Sequence, residues 1–583
     1  MATALTGVEN AEVARIFRQL ADLLEIQEAN PFRVRAYRNA ARAVEELPEP
    51  VEELAHEGPA ALVELPGIGD DLAAKIVEIV ETGSLGALQD AEQALPKGLV
   101  DVMRVRGLGP KRARALYESL GITSLTQLER AARSKRIREI RGFGAKTEER
   151  ILEELQARVA AGAEHRVARA VAAQYGEALL RYLRAVPGVR QADIAGSFRR
   201  CRDTVGDLDI LVDAERASPV AGRFAAYPEV ERVLEHGATR SSVRLRSGIQ
   251  VDLRVLPAKS YGSGLHYFTG SKAHNIAVRR LGQQHGLKIN EYGVFRGRRQ
   301  VGGRTEDEVF GAVGLPWIPP ELREDRGELD AAREGRLPRL VTLASIRGDL
   351  QMHTTESDGR ETLDAMAAAA EAMGYEYIAV TDHSPALRMV RGLDRAGFRR
   401  QMTRIDRLNA RLAKLTVLRG AEVDIRPDGS LDLDDATLDA LDLVVVSVHS
   451  KFDLPEPQQT ARILKALAHP AVDVLGHPTG RLLGRRPAMR LDLDRILREA
   501  ADRGVLVEVN AQPERLDLDD LACRAAVNLG IKLVISTDAH SMAELRFMRW
   551  GVDQARRGWV RKADVANTRP LERLLELLHA GRH

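Results

Sequence analysis

The spacing of apolar residues divides the chain into stretches with different patterns. Residues 1–160 repeat apolar positions every three or four residues, as at Val13, Phe17, Leu20 and Leu24, which predicts helices joined by short glycine turns. Residues 190–300 instead contain strand-like runs such as DLDILVD and IQVDLRVL. From residue 346 onward, apolar strand-like runs alternate with helical patterns, which predicts a parallel sheet that we expect to close as a barrel.

Composition narrows the class of protein. The chain has 583 residues, of which 44% are hydrophobic, so it can bury several cores and is not intrinsically disordered. Two cysteines, Cys201 and Cys523, exclude a disulfide scaffold and a cysteine zinc cluster. No apolar run approaches the roughly 18 residues of a membrane helix, and the first residues lack the apolar core of a signal peptide. We therefore expect no membrane partner and a cytoplasmic location.

Charge is distributed unevenly along the helical stretch. The formal net charge of the chain is +2, but residues 1–100 carry −10 and residues 101–150 carry +7. A concentrated basic segment is the electrostatic footprint of a protein that binds a phosphate backbone, and it is also the composition of a solvated helical face. The motifs inside the segment have to decide between these two interpretations.

Three glycine turns of one form lie in the helical stretch. They are Leu65-Pro-Gly-Ile-Gly69, Val105-Arg-Gly-Leu-Gly109 and Ile140-Arg-Gly-Phe-Gly144. Each precedes a predicted helix, whose first amides can bind phosphate. The turns resemble helix-hairpin-helix motifs, which bind DNA backbones without reading sequence. The residues expected to contact DNA are Gly67, Gly69, Gly107, Gly109, Lys111, Gly142 and Gly144, with Arg112, Arg114 and Lys146 just after the hairpins.

A second pattern places carboxylates on predicted strands. Gly196-Ser-Phe-Arg-Arg200 is followed by Gly206-Asp-Leu-Asp209, and Asp252 lies in a later strand. Residues i and i+2 of a strand face the same side, so Asp207 and Asp209 project together and repel each other unless cations lie between them. With Asp252 they predict a site for two Mg²⁺ or Mn²⁺ ions, which activates a hydroxyl and stabilises leaving pyrophosphate.

These motifs closely resemble the family X DNA polymerases, the polymerase beta-like group, over about residues 1–320. The resemblance also includes Tyr267-Phe-Thr-Gly-Ser271 and Ile289-Asn-Glu-Tyr292. It implies a repair polymerase that fills short gaps with dNTPs, in which Asp252 helps to deprotonate the primer 3′-hydroxyl. The residues implied to bind the nucleotide are Gly196, Ser197, Arg200, Tyr267, Phe268, Gly270 and Asn275, and Arg279 would meet the template base.

The resemblance to polymerase beta is only partial in the amino-terminal residues. Lys75 matches the family lysine that forms a Schiff base with 5′-deoxyribose phosphate, and Tyr37 and Arg38 match its surroundings. Val63 and Asp71 stand where polymerase beta has assisting lysines. Lys75 is therefore the candidate lyase nucleophile, in surroundings that weaken both the lyase chemistry and 5′-phosphate binding.

Polar residues gather at the ends of the predicted strands after residue 346. The segments are Asp349-Leu-Gln-Met-His353, Ser357-Asp-Gly, Thr381-Asp-His383, Gly420-Ala-Glu422, Val448-His449, Gly476-His477 and Thr537-Asp-Ala-His540. A lone histidine is usually structural, but five that follow strands together with acids are hard to explain by packing. Histidine and carboxylate ligands without cysteine suit Zn²⁺, Mn²⁺ or Fe in a multinuclear site that generates hydroxide.

This part of the chain resembles the PHP (polymerase and histidinol phosphatase) phosphoesterases, over essentially residues 346–583. The resemblance implies a distorted (β/α)7 barrel that holds about three metal ions. The implied ligands are His353, Asp358, His383, Glu422, His449, His477, Asp538 and His540, with Glu422 bridging. The common family opening is Asp-Leu-His-x-His, and Gln351 replaces its first histidine, so one metal ion could be weaker or absent.

Together the resemblances predict a multidomain α and α/β protein. The expected divisions are 1–90 for an amino-terminal helix-hairpin-helix domain, 91–160 for a second, fingers-like helix-hairpin-helix region, 161–260 for a nucleotidyltransferase palm, 261–320 for a nucleotide-selecting polymerase subdomain, 321–345 for an ordered linker and 346–583 for the PHP domain.

The order of the two halves matches bacterial family X polymerases that carry a PHP domain. It implies gap filling by the first half and 3′→5′ exonuclease activity in the barrel, with AP-endonuclease or end-processing activity also implied. We expect a monomer that binds gapped or primer-template DNA. The alternatives are a nuclease with a DNA-binding front end and weak polymerase activity, a small-molecule phosphatase of the histidinol-phosphate type, and a non-catalytic DNA end-binding scaffold.

Overall fold

The computed structural model describes most of the chain. The described residues are 10–27, 29–45, 47, 51–65, 67–82, 84–93, 99–103, 105, 108–160, 166–215, 218–386 and 390–580. Contacts divide the chain into two compact units. The first consists of residues 1–166, 173–186 and 219–252, and the second of residues 167–172, 187–218 and 253–583.

Helices build the amino-terminal part of the first unit, as the apolar spacing predicts. The predicted stripe of Val13, Phe17, Leu20 and Leu24 is buried, and the Phe17 ring lies 5.6 Å from the ring of Tyr37 on the next helix. The helices are α1 (Asn10–Ile26), α2 (Pro31–Glu45), α3 (Val51–Glu57), α4 (Pro59–Val63), α5 (Asp70–Thr82), α6 (Gly86–Gln93), α7 (Leu99–Met103), α8 (Pro110–Leu120), α9 (Leu125–Arg133) and α10 (Ala145–Ala160), with a short 3₁₀ turn at Ile137–Glu139.

A mixed α/β region follows. Its five-stranded sheet has the strand order β2-β4-β7-β6-β5, and a small sheet has the order β10-β9-β8. The elements are β1 (Val167–Ala168), α11 (Arg169–Arg184), β2 (Val189–Ile194), α12 (Gly196–Arg199), β3 (Thr204–Val205), β4 (Asp207–Ala214), α13 (Val220–Ala225), β5 (Val230–His236), β6 (Arg240–Leu245), β7 (Gln250–Leu256), α14 (Tyr261–Thr269), α15 (Lys272–Gln284), β8 (Lys288–Asn290), β9 (Gly293–Arg296), β10 (Arg299–Gly302), α16 (Glu306–Gly311) and α17 (Glu328–Arg333), with 3₁₀ turns at Ala258–Ser260 and Pro320–Leu322.

The carboxyl-terminal part is a parallel sheet of seven strands in sequence order, β11 to β17. The amide of His353 donates to the carbonyl of Ala539 over 2.8 Å, so the segments after the first and last strands meet. The predicted barrel and its resemblance to the PHP fold are confirmed. The elements are β11 (Gly348–Asp349), α18 (Leu363–Ala372), β12 (Tyr377–Val380), α19 (Arg395–Asn409), β13 (Thr416–Asp424), α20 (Asp435–Leu438), β14 (Leu443–Ser447), α21 (Glu456–Leu467), β15 (Val474–Leu475), α22 (Leu493–Arg503), β16 (Leu506–Asn510), α23 (Asp520–Asn528), β17 (Leu533–Ser536), α24 (Met548–Arg557) and α25 (Leu571–Ala580), with 3₁₀ turns at Leu343–Ser345, Ala543–Phe547, Lys562–Asp564 and Ala566–Thr568.

Side chains alternate between the two faces of the barrel wall. On β12, Tyr377 and Ala379 join an apolar cluster to which every strand region and α25 contribute. The intervening Ile378 and Val380 pack in the larger cluster that includes the surrounding helices. Because successive strand residues face opposite sides, the first cluster fills the barrel and the second covers it.

The segment after α16 is packed by charge pairs. Glu306 is buried and accepts from Arg199 over 2.8 Å, from Arg323 over 2.5 Å and from the Trp317 indole over 2.9 Å. Arg323 is completely buried. Burial acts to raise the pKa of Glu306, but the two guanidinium groups hold it well below its usual range. One carboxylate thus neutralises two arginines from separate parts of the second unit.

Removing this carboxylate should destabilise the second unit. We expect Glu306→Ala to lower the free energy of unfolding by about 3–5 kcal/mol, because Arg323 would stay buried without its partner. Urea denaturation followed by tryptophan fluorescence measures the change. The exposed neighbour Asp307 is the control, and Asp307→Ala should change the free energy by less than about 0.5 kcal/mol. Equal effects of the two substitutions would contradict the importance of the buried pair.

Candidate active sites

The glycine turns combine buried apolar anchors with exposed glycines. Ile68, Leu108 and Phe143, which precede the last glycine of each turn, are buried. The flanking glycines at 67, 69, 109, 142 and 144 are exposed. A Cβ atom added at Gly69, Gly109, Gly142 or Gly144 would meet no atom within 4 Å, so packing within the chain leaves this side of the turns open.

Helices begin directly after each turn. α5, α8 and α10 start one residue after Gly69, Gly109 and Gly144. Their first amides are therefore directed toward the exposed turns, where an anion can bind, except that Pro110, the first residue of α8, has no amide hydrogen. Lys111 is exposed on the first turn of α8. Gly107 lies outside the described residues, so its predicted role stays a prediction.

The Gly-Ser turn is pressed against one of the predicted catalytic carboxylates. Gly196 has φ of 64°, in the left-handed region, and a Cβ at this position would lie 2.5 Å from Oδ2 of Asp209. The amide of Ala195 donates to the carbonyl of Asp209 over 2.7 Å. Only glycine has both the conformation and the size that this contact requires. The Gly-Ser motif and the second aspartate of the Asp-x-Asp motif, which are separated in the sequence, are therefore in direct contact in the structure.

The carboxylates occupy the expected strands. Asp207 and Asp209 flank the buried Leu208 on β4, so they share a face. Asp252 lies on β7, the neighbour of β4 in the strand order. The two carboxylates on one face of β4 can bind a divalent cation.

The residues after β7 surround Arg200. Its Nη1 donates to the carbonyl of Thr269, and its Nε lies 3.1 Å from Glu324. A Cβ added at Gly270 would be 3.1 Å from Nη1, so the glycine lets the chain pass close to the guanidinium group. Ser197 follows Gly196 in the short helix α12, one turn before Arg200.

The predicted sugar and base contacts lie at the end of α14 and on α15. The rings of Tyr267 and Phe268 are 5.1 Å apart at 80°. Asn275 donates from Nδ2 to the carbonyl of Tyr267 over 2.7 Å, and its buried Oδ1 has no hydrogen-bond partner among the described residues. Arg279 is exposed on the following turn of α15. The structure thus brings Tyr267, Phe268 and Asn275 together.

The candidate lyase residue, Lys75, is paired with an acid on its own helix. Lys75 on α5 forms an ion pair with Asp71, one turn earlier, which is one of the positions that departs from polymerase beta. The hydroxyl of Tyr37 is buried and lacks a hydrogen-bond partner among the described residues. No covalent chemistry follows from these contacts, and lyase activity stays a prediction.

The barrel gathers all eight predicted ligands at the carboxyl ends of its strands. Glu422 is central: its oxygens lie 2.9 Å from His477 Nε2, 3.2 Å from His449 Nε2, 3.3 Å from His383 Nδ1 and 3.5 Å from His353 Nε2. Asp358 Oδ2 lies 3.4 Å from both His383 Nε2 and His540 Nε2, and His353 Nε2 lies 3.0 Å from Asp538 Oδ1.

Three overlapping groups in this cluster have ligand atoms within 4.8 Å of one another. They consist of His353, Asp358, His383 and His540; of His383, Glu422 and His449; and of His353, Glu422 and Asp538. Imidazole nitrogens and carboxylate oxygens at these spacings can hold Zn²⁺, Mn²⁺ or Fe. Glu422 belongs to two groups, which is the arrangement of a bridging ligand.

Charge holds the cluster together. Burial acts to raise the pKa of Glu422, but the charges of His449 and His383 and hydrogen bonds from His449 and His477 hold it far below its usual range. Burial acts to lower the pKa of His449, yet Glu422 and Asp424 raise it to about 9. For His540, the hydrogen bond to Asp358 and the charge of Asp538 outweigh burial and raise the pKa to about 10.

Two of the ligand positions have a strained, left-handed backbone. His477 has φ of 24° and Asp538 has φ of 52°, both in a region that residues with a Cβ rarely adopt. Such strain persists where the surrounding structure imposes it, commonly at functional sites.

Gln351, which replaces the usual first histidine, is buried in the barrel. Both its amide nitrogen and its amide oxygen lack a hydrogen-bond partner among the described residues. A buried, unsatisfied amide is unusual and can be satisfied by a bound ion's water or by an ordered water. Whether one metal ion is weaker there stays a prediction.

Sequence reasoning missed several polar neighbours of the ligands. Asp424 lies 3.5 Å from His449 Nδ1, Glu508 accepts from the amide of His477 over 2.6 Å, and Asn510 donates to Asp538 over 3.0 Å. Burial and the charge of Asp538 raise the pKa of Glu508 well above its usual range. The strand alternation was the available signal, because Glu508 lies two residues after the inward-facing Leu506.

Four family models match separate parts of the chain. A helix-hairpin-helix domain model matches residues 8–85, a SAM-like helix-hairpin-helix tandem matches residues 99–157, a DNA polymerase beta thumb matches residues 264–324 and a PHP domain matches residues 349–512. The fold and the sites define a polymerase beta-like chain joined to a PHP phosphoesterase barrel. In the described residues, no helix is long and apolar enough to cross a membrane.

Relatives share this organisation over different lengths. The DNA polymerase/3′-5′ exonuclease PolX of Bacillus subtilis is 36% identical over 574 residues, which cover 96% of this chain and 98% of that protein. The chain therefore belongs to the family X DNA polymerases that carry a PHP domain. DNA polymerase lambda of Arabidopsis thaliana is 26% identical over 54% of the chain and 62% of its own length. A probable phosphatase of Thermoanaerobacter is 28% identical over 33% of the chain and 78% of its own length.

The contact between Gly196 and Asp209 can be tested by adding one methyl group. Gly196→Ala should displace the Asp209 carboxylate and lower kcat for nucleotide incorporation about a hundredfold. Single-turnover primer extension measures the rate. The control is Gly222→Ala on α13, where an added Cβ meets no atom within 4 Å and activity should be unchanged. Wild-type rates in Gly196→Ala would contradict the requirement for this contact.

The raised pKa values in the barrel predict proton release on metal binding. At pH 7, His449 and His540 are protonated in the metal-free protein because their pKa values are about 9 and about 10. A metal ligand must be a neutral imidazole, so Mn²⁺ binding should release protons at pH 7 and progressively fewer as the pH approaches 10. Apparent affinity should rise over the same interval.

Isothermal titration calorimetry in two buffers of different ionisation enthalpy counts the released protons. His469→Ala is the control, because His469 lies outside the cluster beside Asp435 and should not alter the count. Binding heats that are independent of the buffer would contradict the prediction.

Proposed function

We propose that this protein is a DNA repair polymerase that fills short gaps by template-directed nucleotidyl transfer, and that its barrel removes nucleotides from 3′ ends. The observation that carries the proposal is the contact between the Gly196 turn and Asp209. It places a turn suited to phosphate beside a carboxylate suited to metal ions. Family membership and the PolX relative support the same conclusion.

In the polymerase site, Asp207, Asp209 and Asp252 would hold two Mg²⁺ or Mn²⁺ ions, which supply charge stabilisation for the attacking and leaving oxygens. Asp252 would accept the proton of the primer 3′-hydroxyl. Ser197 and Arg200 would bind the outer phosphates of a dNTP with a hydroxyl, amides and a guanidinium group. Their positions on and just after α12 support this role.

Discrimination of sugar and base would fall to α14 and α15. The rings of Tyr267 and Phe268, 5.1 Å apart at 80°, would crowd a ribose 2′-hydroxyl and so favour dNTPs over ribonucleotides. Asn275 is half-buried on α15 and would meet the incoming base. Arg279, exposed on the same helix, would contact the template base.

In the barrel, the eight ligands would hold about three Zn²⁺, Mn²⁺ or Fe ions, which supply hydroxide and neutralise a phosphodiester. The cluster opens to solvent at one side. Asp358 and His540 are 24% and 27% exposed, whereas His353 and Glu422 are almost completely buried. A DNA 3′ end would therefore approach beside Asp358 and His540.

The helix-hairpin-helix turns would hold the DNA. Their exposed glycines leave space for a phosphate backbone, and Lys111 adds a charge at the amino terminus of α8. This contact would be independent of DNA sequence, since backbone amides read no base edges. Binding should therefore weaken with salt for gapped and primer-template DNA alike.

The remaining expectations extend this proposal. We infer a monomer in the cytoplasm, near the nucleoid. AP-endonuclease, end-processing and lyase activities stay predictions. A small-molecule phosphatase would not need the two helix-hairpin-helix regions, and a scaffold would not need a buried cluster of five histidines and three acids.

Separate active sites can be distinguished by one substitution in each. Asp207→Ala should abolish synthesis and leave exonuclease activity within about twofold, while His353→Ala should do the reverse. A labelled primer on a gapped duplex with Mn²⁺, with and without dNTPs, measures both activities on one sequencing gel. Synthesis should disappear because the loss of a metal ligand typically removes most of a metal-dependent rate.

Two controls accompany this experiment. Wild-type protein must lengthen the primer with dNTPs and shorten it without them. His469→Ala changes a barrel histidine outside the cluster and should behave as wild type. Loss of both activities in either single variant would overturn the assignment of separate sites, and shortening without extension in the wild type would overturn the polymerase assignment.

A further inference from the structure

A helix of the barrel contacts the proposed nucleotide-binding arginine. Arg557 is the last residue of α24, and its side chain is 2% exposed. Its Nη1 donates to the backbone carbonyl of Arg200 over 2.6 Å and to Oε1 of Glu324 over 3.0 Å. Its Nη2 donates to Oδ2 of Asp520 over 2.7 Å. One guanidinium group thus joins two carboxylates and the main chain of the polymerase site.

The side chain of Arg200 shares a partner with Arg557. Arg200 Nε lies 3.1 Å from the same Oε1 of Glu324 that accepts from Arg557. Burial acts to raise the pKa of Glu324, but Arg200 and Arg557 lower it, so the carboxylate stays ionised between the two guanidinium groups. Because Arg200 Nη1 also donates to the carbonyl of Thr269, two different atoms of its guanidinium group are fixed.

The barrel also holds the segment that carries Glu324. Arg326 Nη1 donates to the same Asp520 oxygen over 2.7 Å. Arg524 on α23 donates to the carbonyl of Arg326 over 3.0 Å. Two helices of the barrel thus anchor this segment: α23 binds Arg326 through Asp520 and Arg524, and α24 binds Glu324 through Arg557.

We propose that Arg557 is a positioning residue for nucleotide binding, acting through Glu324 and the backbone of Arg200, so that a helix of the barrel completes the dNTP site of the polymerase. The inference rests on the proposed role of Arg200 in binding the nucleotide phosphates. Arg557 itself does not touch the nucleotide in this arrangement.

The physical reason is preorganisation. An arginine side chain has several rotatable bonds, and ordering it at the moment of binding reduces affinity for the ligand. Glu324 and Thr269 hold Arg200 in place before the nucleotide binds. A guanidinium group has five N–H donors, and these two contacts use Nε and Nη1, so Nη2 is left to bind a phosphate. Arg557 keeps Glu324 in the position that this arrangement needs.

Steady-state gap filling tests the proposal. Arg557→Ala should raise KM for dNTP about tenfold, with a much smaller change in kcat, and exonuclease activity should stay within about twofold of wild type. Arg557→Lys keeps the positive charge but loses the planar guanidinium group with its several N–H donors. Its KM for dNTP should therefore lie between those of the wild type and Arg557→Ala.

The adjacent Arg556 provides a matched control. It lies on the same helix, but its hydrogen bonds go to Glu321 over 2.7 Å and to the carbonyl of Val341 over 2.9 Å. Arg556→Ala should therefore leave KM for dNTP within about twofold of wild type. Equal rises in KM for the two alanine variants would show a general loosening and overturn the proposal.

A double-mutant cycle separates this inference from the proposed function. Arg200→Ala should raise KM strongly, and adding Arg557→Ala in that background should raise it less than about twofold further. If Arg200→Ala alone leaves KM unchanged, the phosphate-binding role of Arg200 is wrong. If Arg200→Ala raises KM while Arg557→Ala does not, or if the effects are independent, only the role of Arg557 is overturned.

If Arg557→Ala fails to fold, that variant will also lose its exonuclease activity. The variant Glu324→Gln then tests the proposal in its place. The glutamine keeps the shape of the side chain and removes the charge between the two arginines. It should raise KM for dNTP severalfold with normal exonuclease activity, and an unchanged KM would overturn the proposal.

Discussion

The pairing of buried charges is the constraint on which the rest of this structure depends. Glu422 is almost completely buried and ionised among four histidines, so the strands that carry those histidines must end around it. Glu306 does the same for two arginines in the polymerase half. A buried charge without partners is far less stable than a paired one, so these contacts determine which chain segments can lie together.

Local periodicity explains why so much could be predicted from the sequence. The i, i+2 rule placed Asp207 and Asp209 on one face of β4, and the apolar runs before each histidine located the strand ends of the barrel. The same rule could have located Glu508, because it lies two residues after Leu506 on β16 and therefore also faces the inside of the barrel. It has no motif of its own, and its importance comes from contact with the amide of His477.

Contacts between arginines and distant acids could not be predicted in this way. Glu324 and Arg557 are separated by 233 positions, and each lies in a charged segment that has the composition of a solvated surface. The segment 321–345 shows the same difficulty, since its composition does not reveal that Arg323 and Glu328 are buried against Glu306 and His274. Composition reports which residues are charged and not which partners the fold supplies.

The shared carboxylates also restrict how the two activities can cooperate. Separating α23 and α24 from the segment 324–326 would break the pair of Arg557 with Glu324 and the pair of Arg326 with Asp520. The hydrogen bond from Arg524 on α23 to the carbonyl of Arg326 would be lost as well. The segment 324–326 and the barrel also belong to the same compact unit, so they should move as one piece. Under the proposed function, a primer end that leaves one site for the other would then travel by rearrangement of the DNA, and helix-hairpin-helix turns that contact the backbone independently of sequence would permit such movement.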